Sequence, residues 1–531
     1  MSMISALRSR LRAPTRSEIL LAALIGAFTW WFGQLCFFHQ RYFGNFSFDL
    51  GIYDQGIWLL SQGDNPFVTV RGLHLFGHHT NFILLLWAPF YRLFGAGAGF
   101  LVVSEVVIVG LAAIPVFLLA RDRLRERDDD RAGALAVLVA VAFLLNPAIQ
   151  NEIWWTFHPD TISILPVLLT WLFATRQKWR AAIIWGVVAL LCKEDVSLTL
   201  AAMGVVLAYR FKQPKALYAG AASAAWFVLM TRVVMTAANH GLDPFYVQDF
   251  SHLGSNLGQM SVNSVLHPSR WVWRVDRASA ADGRYWFQLA APFGLLPLLA
   301  GPELLMLLPQ FFINSVTAWT YATDARYHYS ALPVAVLVIC TVELLGRLPS
   351  GVWRRGVVVA LVGGALLTNF WWAPSPLGPM LKDVPLIQGH LDTLGRGDPL
   401  TGAFRRVPHI HQAAAEEAMR LIPADASVSA VFYLVPQLTH RREIYEFPTP
   451  FMRFNYRVPG HGPPPDAVDT LDYVLLDANA WYDPSHAQLY MTLLEPGSGF
   501  EVIYGRDDIV LLRRTADPIS AAVRAYASVG L

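Results

Sequence analysis

The sequence contains few charged residues for its length. Asp, Glu, Lys and Arg make up 15% of its 531 residues and hydrophobic residues 54%, whereas a soluble domain usually has about 25% charged residues. The three cysteines lie in or beside apolar runs, so neither a disulfide framework nor a cysteine metal site is expected. The chain also lacks a P-loop, a GxGxxG motif and zinc-finger spacing, which argues against a nucleotide-driven machine. The net charge of +2 says little about partners, and no nucleic-acid partner is expected.

Apolar runs dominate residues 1–375. A span needs about 20 apolar residues, and backbone groups inside lipid must bond to one another, so each span is expected to be a helix. The basic N-terminal stretch leads into the first run without a small-residue cleavage site, which predicts a retained helix rather than a signal peptide. We predict a polytopic α-helical membrane protein with about eleven transmembrane helices. These are placed near residues 19–39, 98–120, 132–150, 161–175, 180–192, 196–211, 216–237, 285–300, 302–317, 330–347 and 356–373.

Two kinds of polar cluster separate the apolar runs. Arg-rich clusters lie at 8–16, 121–131, 176–180, 210–215 and 347–355. Clusters of Asp, Glu, His and aromatic residues lie at 48–58, 78–82, 151–160, 193–195 and 325–330. Threading the spans through a bilayer puts the two kinds on opposite faces, and the positive-inside rule assigns the Arg-rich face to the cytoplasm. We therefore predict a multi-pass membrane protein with its N-terminus in the cytoplasm and an outer face that carries the acidic and histidine residues. Because Arg far outnumbers Lys and Ala is abundant, as in high-GC bacterial genomes, the membrane is expected to be the bacterial cytoplasmic (inner) membrane.

The predicted outer face has two long loops and a C-terminal domain. The first loop, residues 39–98, includes the short apolar segment His79–Phe94, which we interpret as a helix lying in the membrane interface. The second, residues 238–284, is polar and is a candidate mobile lid. After Pro374 the pattern changes to an amphipathic helix at 404–422 and strands at 427–435, 472–477 and 501–514. The predicted domains are a transmembrane domain at 1–375 and a small extracytoplasmic α/β domain at 376–531.

Two carboxylates follow the first predicted span in the segment FDLGIYDQGIW. Asp49 and Asp54 lie among apolar and aromatic residues, where a carboxylate is desolvated and suited to act as a base. Solvated loop carboxylates are the simpler interpretation, and Asp54 could equally cap or orient the short helix. The pattern favours a catalytic role for Asp49 and leaves Asp54 evenly balanced.

His78 and His79 begin the predicted interfacial helix. Adjacent residues do not share one side of a helix, so at most one of the two is expected to enter a site, and surface exposure is the simpler interpretation. The chain has neither HxxxH nor HExxH spacing here, so a metal is not favoured.

The segment NEIWWTFHPD contributes Glu152, His158 and Asp160 beside a pair of tryptophans. Tryptophan at the edge of a span often belongs to an interfacial aromatic belt. Paired tryptophans beside carboxylates also suit a sugar, whose C–H faces stack on aromatic rings. The two interpretations are evenly balanced.

The turn Lys193-Glu194-Asp195 interrupts a stretch that is otherwise apolar on both sides. Ionisable residues beside membrane spans are functional candidates. Lys193 suits a phosphate group, with Glu194 or Asp195 holding its side chain, although charges at a membrane edge are also ordinary in loops.

A final cluster, Arg326, Tyr327 and His328, precedes a predicted span. Arg326 and His328 are further candidates for binding phosphate. The aromatic residues around them are also typical of an interfacial belt.

These motifs together carry a family resemblance. FDLGIYDQGIW, HHTNFILLLWAPFYRLFG and the FHPD, CKED and RYHYS turns occur in this order over nearly the whole chain. The chain resembles a bacterial membrane-protein family known as domain of unknown function 2079. That family is similar to the GT-C glycosyltransferases, which include protein mannosyltransferases and aminoarabinose transferases. The resemblance implies a GT-C-like fold with interfacial helices in the first outer loop. The mannosyltransferase motif usually begins with His-Pro-Pro or Lys-Pro-Pro, whereas this chain has His78-His79-Thr80.

The resemblance also implies a reaction. A sugar would move from a polyprenyl-phosphate donor to a cell-envelope glycan, lipid or protein outside the membrane, with inversion, as in cell wall biogenesis. Asp49, with Asp54 second, takes the place of the acidic residue that accepts a proton from the acceptor hydroxyl. The leaving lipid phosphate would be held by Lys193, Arg326 and His328, and fixed positive donors are what such a group needs. No cofactor is required, and a divalent metal is optional.

Two alternatives remain open from the sequence. A transporter or flippase of a lipid-linked sugar would usually show two related halves and polar, broken helices at mid-bilayer, and neither is evident. A non-catalytic envelope scaffold or sensor that keeps the same shell would bind a partner through its C-terminal domain.

Overall fold

The computed structural model describes residues 13–125, 131–272, 279–374, 411–453, 462–464, 466–480 and 483–528. Its N-terminal part is almost entirely helical. The α-helices before residue 375 are Arg16–Arg41, Ile52–Gln62, Leu75–His78, Ala88–Phe94, Ala98–Leu111, Ala113–Arg125, Ala132–Leu144, Pro147–Trp155, Pro159–Ile162, Ile164–Thr175, Trp179–Leu190, Val196–Arg210, Ala216–Leu229, Met235–Ala238, Leu257–Leu266, Ser279–Ala290, Leu308–Val316, Ala331–Arg347 and Val352–Trp372.

Within the described residues, five helices are long and apolar enough to cross a membrane. They are Arg16–Arg41, Ala98–Arg125, Ala216–Ala238, His328–Arg347 and Val352–Trp372, and a sixth is obtained if Ala132–Leu144 and Pro147–Trp155 count as one bent span. Shorter apolar helices occupy three further predicted positions, at Pro159–Thr175, Trp179–Leu190 and Val196–Arg210. The fold class of a polytopic helical membrane protein is confirmed, and the number of about eleven spans stays a prediction.

The bend in the third predicted span positions part of the candidate site. Its two halves meet at an angle of 47°. Asn146 caps the second half by accepting the backbone N–H of Ala148, and Pro147 occupies the first helical position. A residue before proline avoids the helical conformation, which explains the break. The bend turns the NEIWW segment, and the FHPD turn after it, away from the line of the preceding helix.

The spans predicted at 285–300 and 302–317 are wrong as continuous helices. Helix Ser279–Ala290 is followed by three 3-10 segments, Ala291–Phe293, Leu296–Leu299 and Gly301–Leu307, before helix Leu308–Val316 begins. Proline removes a backbone donor and clashes with the preceding turn. The prolines in this stretch are Pro292, Pro297, Pro302 and Pro309, and glycines at 294 and 301 adopt positive φ.

The predicted interfacial helix is present in two short pieces. A 3-10 segment covers Phe82–Leu86, and helix Ala88–Phe94 ends at Gly95, which adopts a left-handed conformation. Leu93 and Phe94 are 72% and 76% exposed. A short helix with large apolar side chains on its surface fits a position in the membrane interface.

A buried ion-pair network lies at the end of the helices opposite the candidate site. Arg123 binds the carboxylate of Glu343 with both Nε and Nη2, at 2.8 and 3.0 Å. Arg210 Nη2 lies 2.5 Å from the same carboxylate, and Trp171 donates its indole N–H to it at 2.8 Å. Glu343 lies near the end of helix Ala331–Arg347, whereas His328 precedes its beginning. Parts of the Arg-rich clusters therefore hold helices together inside the protein instead of facing solvent.

The C-terminal part is a small α/β domain around a five-stranded sheet. A hairpin of β1 (Phe67–Val68) and β2 (Leu73–His74) lies in the first loop, and the sheet has the order β4-β3-β5-β7-β6. β3 is parallel to β4 and β5, and β7 is antiparallel to β5 and β6. Its strands are β3 (Val428–Ala430), β4 (Ile444–Glu446), β5 (Tyr473–Asp477), β6 (Phe500–Arg506) and β7 (Ile509–Arg514).

The predicted C-terminal elements are largely confirmed. Each of the three predicted strand segments contains a strand, and 501–514 forms a hairpin whose turn residues Asp507 and Asp508 have positive φ. The amphipathic helix is Gln412–Arg420, and helices Ala467–Thr470, Pro484–Leu493 and Ala521–Arg524 complete the domain. The predicted boundary at 375/376 lies outside the described residues and stays a prediction.

Candidate functional site

The first candidate, Asp49, lies in a strained turn. After helix Arg16–Arg41 the chain forms a π-turn at Ser47–Gly51 that is broken within: Phe48 has extended angles, and Asp49 has φ 65° and ψ −81°. A positive φ is uncommon for a residue other than glycine and costs about 1–3 kcal/mol. Such strain persists only where the surrounding structure imposes it, and it concentrates at functional sites.

Asp49 faces His158 from the FHPD turn. Its Oδ2 lies 3.2 Å from Nε2 of His158. The side chain of Asp49 is 30% exposed, whereas that of His158 is 1% exposed. Burial alone would raise the pKa of Asp49, but the neighbouring His158 outweighs it, so the pKa lies below its usual range. The result is an ionised, partly exposed carboxylate that lies next to a buried imidazole.

His158 is itself fixed on three sides. Its backbone N–H donates to Oε1 of Glu105 at 2.9 Å. Its Nδ1 lies 3.2 Å from the carbonyl oxygen of Thr156. Its ring stacks on that of His328 with centroids 3.7 Å apart. The sequence singled out both histidines, and the structure brings them together beside Asp49.

The charged turn at 193–195 is buried at the same end of the helices. Lys193 Nζ lies 2.6 Å from Oδ1 of Asp160 and 3.8 Å from Oδ2 of Asp195. Burial alone would lower the pKa of Lys193, but Asp160, Asp195 and Glu194 outweigh it and raise the pKa well above its usual range. Lys193 is thus a fixed positive charge. Its main partner is Asp160 rather than Glu194 or Asp195, which differs from the prediction. The helix that begins at Pro159 brings Asp160 next to this turn.

Glu194 binds His79 rather than Lys193. Its carboxylate lies 2.7 Å from Nδ1 of His79 and accepts the backbone N–H of Thr80 at 3.1 Å. Burial alone would raise the pKa of Glu194, but His79 outweighs this, and the pKa lies below its usual range. Glu194 therefore anchors the first loop to the 193–195 turn.

The prediction that at most one of the two histidines enters the site assumed that both lie at the start of one helix. The structure does not contain that helix start. Helix Leu75–His78 ends before His79, which is extended. The two rings contact each other with centroids 4.6 Å apart, and His78 also stacks on Phe245 at 4.9 Å. Burial lowers the pKa of His78 well below its usual range, and His79, Arg71 and Lys193 add to the effect. Both histidines therefore line the same region.

Asp54 lies in a different environment from Asp49. Its carboxylate accepts hydrogen bonds from the hydroxyls of Tyr91 and Thr439. Nε2 of His440 lies 3.4 Å from its Oδ2. Asp54 is 1% exposed, so its surroundings resemble those of a structural carboxylate and support the alternative in which it orients the short helix.

The remaining members of the tryptophan segment divide into two groups. Glu152 is 1% exposed and interacts electrostatically with Glu105 and Asp160, and the hydroxyl of Thr161 lies beside its carboxylate. Trp154 stacks on His39 with centroids 4.4 Å apart. Trp155 instead contacts Tyr327 edge to face at 4.9 Å. The aromatic surface next to the site is therefore Trp155 with Tyr327.

Arg326 is the most exposed cation among the predicted site residues. Its side chain is 41% exposed and lies 2.6 Å from the carboxylate of Asp324. The carboxylate of Asp324 accepts hydrogen bonds from both Nε and Nη2 of this guanidinium. Arg326 thus lies at the rim, whereas Lys193 is buried.

Sequence reasoning missed three residues of this region. Arg71 is 1% exposed and lies over the rings of Phe48 and Phe245 at 5.7 and 4.8 Å. Tyr53 is 2% exposed and contacts the His158 ring edge to face, with centroids 6.1 Å apart. An arginine within the apolar stretch FVTVRGLHLF was a usable signal, whereas Tyr53 and Phe245 carry no sequence signal that separates them from ordinary aromatic core.

The second loop covers the histidine pair. Phe245 stacks on His78, and Tyr246 stacks on His79 with centroids 5.8 Å apart. Asn239 donates to the carbonyl of Gly77 at 2.9 Å. The segment thus covers this side of the site, as expected of a lid, and its mobility stays a prediction. Among the described residues, no group of three or more His, Cys, Asp or Glu side chains could hold a metal ion.

A family described as a predicted membrane protein (DUF2079) matches residues 44–511 of the sequence. The chain belongs to that family. The match begins before Asp49 and ends in β7, so it covers both the candidate site and the C-terminal sheet of this DUF2079 protein, and it confirms the family resemblance. No curated protein matches the sequence.

Two solved structures are also similar to the DUF2079 protein. They are ArnT from Cupriavidus metallidurans, bound to undecaprenyl phosphate in one structure and apo in the other. Identity is 14% in both cases, with TM-scores of 0.49 and 0.48. The similarity covers 96% of this chain and 100% and 98% of the two ArnT chains.

Proposed function

We propose that the protein is a membrane glycosyltransferase that moves a sugar from a polyprenyl-phosphate donor to a cell-envelope acceptor. The observation that carries this proposal is the combination of Asp49 and Lys193: a partly exposed, ionised carboxylate next to a buried imidazole, at the same end of the helices as a buried, fixed positive charge. The family's resemblance to GT-C enzymes supplies the donor class. General-base catalysis and stabilisation of a leaving phosphate are the two functions that such a transfer requires.

In the proposed reaction Asp49 accepts the proton of an acceptor hydroxyl. The hydroxyl oxygen forms a bond to the anomeric carbon of the donor sugar as the bond from that carbon to the phosphate oxygen breaks. The electron pair leaves with the polyprenyl phosphate, and attack from the opposite face inverts the anomeric centre. His158 holds the carboxylate of Asp49 in place during this step.

Positive groups of two kinds are available to the leaving phosphate. Lys193 and Arg71 are buried, and electrostatic effects of both reach His78. Arg326 is at the rim and already faces Asp324. We assign Lys193 the main role in stabilising the phosphate, Arg71 a supporting role, and Arg326 a role in attracting the lipid-linked donor to the site.

The proposed location follows from the same chemistry. The site lies on the extracytoplasmic side of the cytoplasmic membrane, with the C-terminal domain beside it.

Cysteine labelling tests this orientation. Cys36, Cys192 and Cys340 are all buried, so a cysteine introduced at an exposed position can be labelled selectively. A membrane-impermeant maleimide should label Gln488→Cys in intact spheroplasts and should label Lys178→Cys only after permeabilisation. The reverse pattern would contradict this orientation.

The test of the activity uses purified protein in detergent with radiolabelled undecaprenyl-phosphate sugars. Binding, hydrolysis and transfer to water or to envelope extracts are followed separately. Release of undecaprenyl phosphate with transfer of the label supports the proposal. No binding to any donor of the panel would contradict it and favour a scaffold or sensor.

Transport of a lipid-linked sugar is the second candidate. The observation that favours it is the pair Glu105 and Glu152, which lie buried within apolar helices and interact electrostatically. Movement of a labelled donor across proteoliposomes, without cleavage of its sugar–phosphate bond, would support transport in place of transfer.

A further inference from the structure

One segment of the C-terminal domain, residues 432–446, lies directly on the turn that carries Asp49. The backbone N–H of Ser47 donates to the carbonyl of Phe432 at 2.9 Å. The Ser47 hydroxyl donates to the carboxylate of Glu446, and the rings of Phe46 and Phe432 lie 5.6 Å apart. The N-terminal side of the turn is therefore fixed by the C-terminal domain.

The same segment holds the other side of the turn through Asp54. The Thr439 hydroxyl donates to Oδ2 of Asp54, and Nε2 of His440 lies 3.4 Å from that oxygen. Gln55 follows in the helix and donates to the carbonyl of Arg442 at 3.1 Å. The first turn of helix Ile52–Gln62 is thus bound to residues 439–442 of the C-terminal domain.

Asp49 lies between these two attachments. The transmembrane helices contribute the contact at its carboxylate, which is His158, whereas the C-terminal domain contacts the chain on either side of it. A strained conformation with positive φ at a non-glycine residue needs surroundings that enforce it. Ser47 and Asp54 are both about 1% exposed, so these attachments are well packed and shielded from water.

We propose that Thr439 and His440 are positioning residues for Asp49. They fix Asp54, and through it the beginning of helix Ile52–Gln62, so that Asp49 keeps the strained conformation in which its carboxylate meets His158. The consequence for activity rests on the proposed function, whereas the structural coupling does not. In this account the second carboxylate of FDLGIYDQGIW joins the C-terminal domain to the site and does not itself accept a proton from substrate.

A pair of substitutions at Thr439 separates the hydroxyl from the packing. Thr439→Val keeps the shape and removes the hydrogen bond to Asp54, whereas Thr439→Ser keeps the hydroxyl. The matched control at the same interface is Arg442→Gln, which breaks the exposed ion pair between Arg442 and Asp64, 3.0 Å apart, and leaves the backbone carbonyl that binds Gln55. Monodisperse elution of each full-length variant in detergent verifies that it folds.

The experiment combines hydrogen–deuterium exchange with kinetics. In Thr439→Val, amides of residues 46–54 should exchange about tenfold faster, while those of 164–175 stay unchanged. The rate constant kcat for transfer should fall about 10- to 100-fold with KM within about twofold, because a displaced base slows the chemical step more than binding. Thr439→Ser and Arg442→Gln should match the wild type in both measurements.

Each outcome decides one part of the account. Unchanged exchange at 46–54 in Thr439→Val would overturn the proposal, whatever the activity. Faster exchange with unaltered kcat in an active enzyme would overturn the positioning role. If wild-type protein shows no transfer with any donor but exchange responds to Thr439→Val and is restored in Thr439→Ser, the coupling is supported and the proposed function alone fails.

Discussion

Oδ2 of Asp49 and Nε2 of His158 lie 3.2 Å apart, although the two residues belong to segments far apart in the chain. The contact joins the strained turn after the first helix to the FHPD turn after the bent helix pair. It gives Asp49 a pKa below its usual range in spite of burial. This relationship underlies the account of the site, and the first prediction concerns it directly.

Replacing His158 should shift the pH dependence of activity. In the wild type, the lowered pKa keeps Asp49 ionised well into the acid range, so the acid limb of kcat/KM is expected at a lower pH than is usual for an aspartate. In His158→Gln, burial is opposed only by the weaker effect of His328 and the pKa of Asp49 rises, so the acid limb should move to higher pH and kcat should fall. A pH profile of kcat/KM measures this, and an unshifted acid limb would show that His158 does not control the base.

Single and double substitutions of the ion pair between Lys193 and Asp160 should distinguish an effect on catalysis from an effect on stability. Lys193→Met alone leaves Asp160 buried without its cation, and loss of one partner of a buried pair costs about 3–5 kcal/mol. The double variant Lys193→Met/Asp160→Asn removes both charges and should unfold closer to the wild-type temperature while still losing kcat. Thermal unfolding and initial rates provide the two measurements.

Substitution of the exposed Arg326 serves as a control for the substitution of the buried Lys193. Arg326→Gln should lower kcat/KM less than the double variant does, because Arg326 is 41% exposed and already bound to Asp324. If Arg326→Gln lowers kcat/KM more than the double variant does, Arg326 and not Lys193 has the main role in stabilising the phosphate.

The contact between His440 and Asp54 should make stability depend on pH. Burial alone would lower the pKa of His440, but the hydrogen bond and charge of Asp54 outweigh it, and the pKa is raised. A group whose pKa is raised in the folded state stabilises fully below its unfolded value of about 6.5 and loses that effect as the pH rises through the folded pKa. Melting temperature should therefore fall as pH rises through this range, and the fall should be smaller in His440→Gln. Equal pH dependence in both proteins would show that the pair does not contribute.

The buried network at the other end of the helices should be structural. Glu343→Gln removes the carboxylate that Arg123 and Arg210 share, while Arg210 keeps its second partner, Glu303; the variant should destabilise the protein by about 3–5 kcal/mol. The matched control is Arg513→Gln, which breaks a pair with Glu501 in which both side chains are about half exposed; its cost should be below about 1 kcal/mol. Thermal unfolding in detergent tests this, and similar melting temperatures for the two variants would contradict it.

The sequence predicted the residues of the site better than their pairings. Asp49, His158, Lys193 and His328 were identified because ionisable residues interrupt apolar or aromatic stretches, a local signal. That Lys193 would meet Asp160, and Glu194 would meet His79, depends on how helices pack, and the sequence offers several equivalent partners. Arg71 carried the same local signal and was missed.

Local geometry explains the other differences. The pattern favoured Asp49 as the base but left the role of Asp54 open, because the positive-φ conformation of Asp49, which redirects the chain between the two residues, cannot be inferred from composition. The broken stretch at 291–307 was predictable from its prolines and glycines, whereas apolar content alone suggested two spans. β4 is three residues long and is preceded by charged residues, whereas β3, which is equally short, lies in a longer apolar run that indicates a strand.

The most direct test compares Asp49→Asn with Asp54→Asn in the transfer assay with undecaprenyl-phosphate sugars. If Asp49 is the base, Asp49→Asn should lower kcat by about 10²- to 10⁴-fold while donor binding remains. Asp54→Asn should retain measurable transfer with a smaller loss in kcat, because it loosens the position of Asp49 without removing the base. Full activity of Asp49→Asn, or abolition of transfer by Asp54→Asn alone, would contradict the central claim.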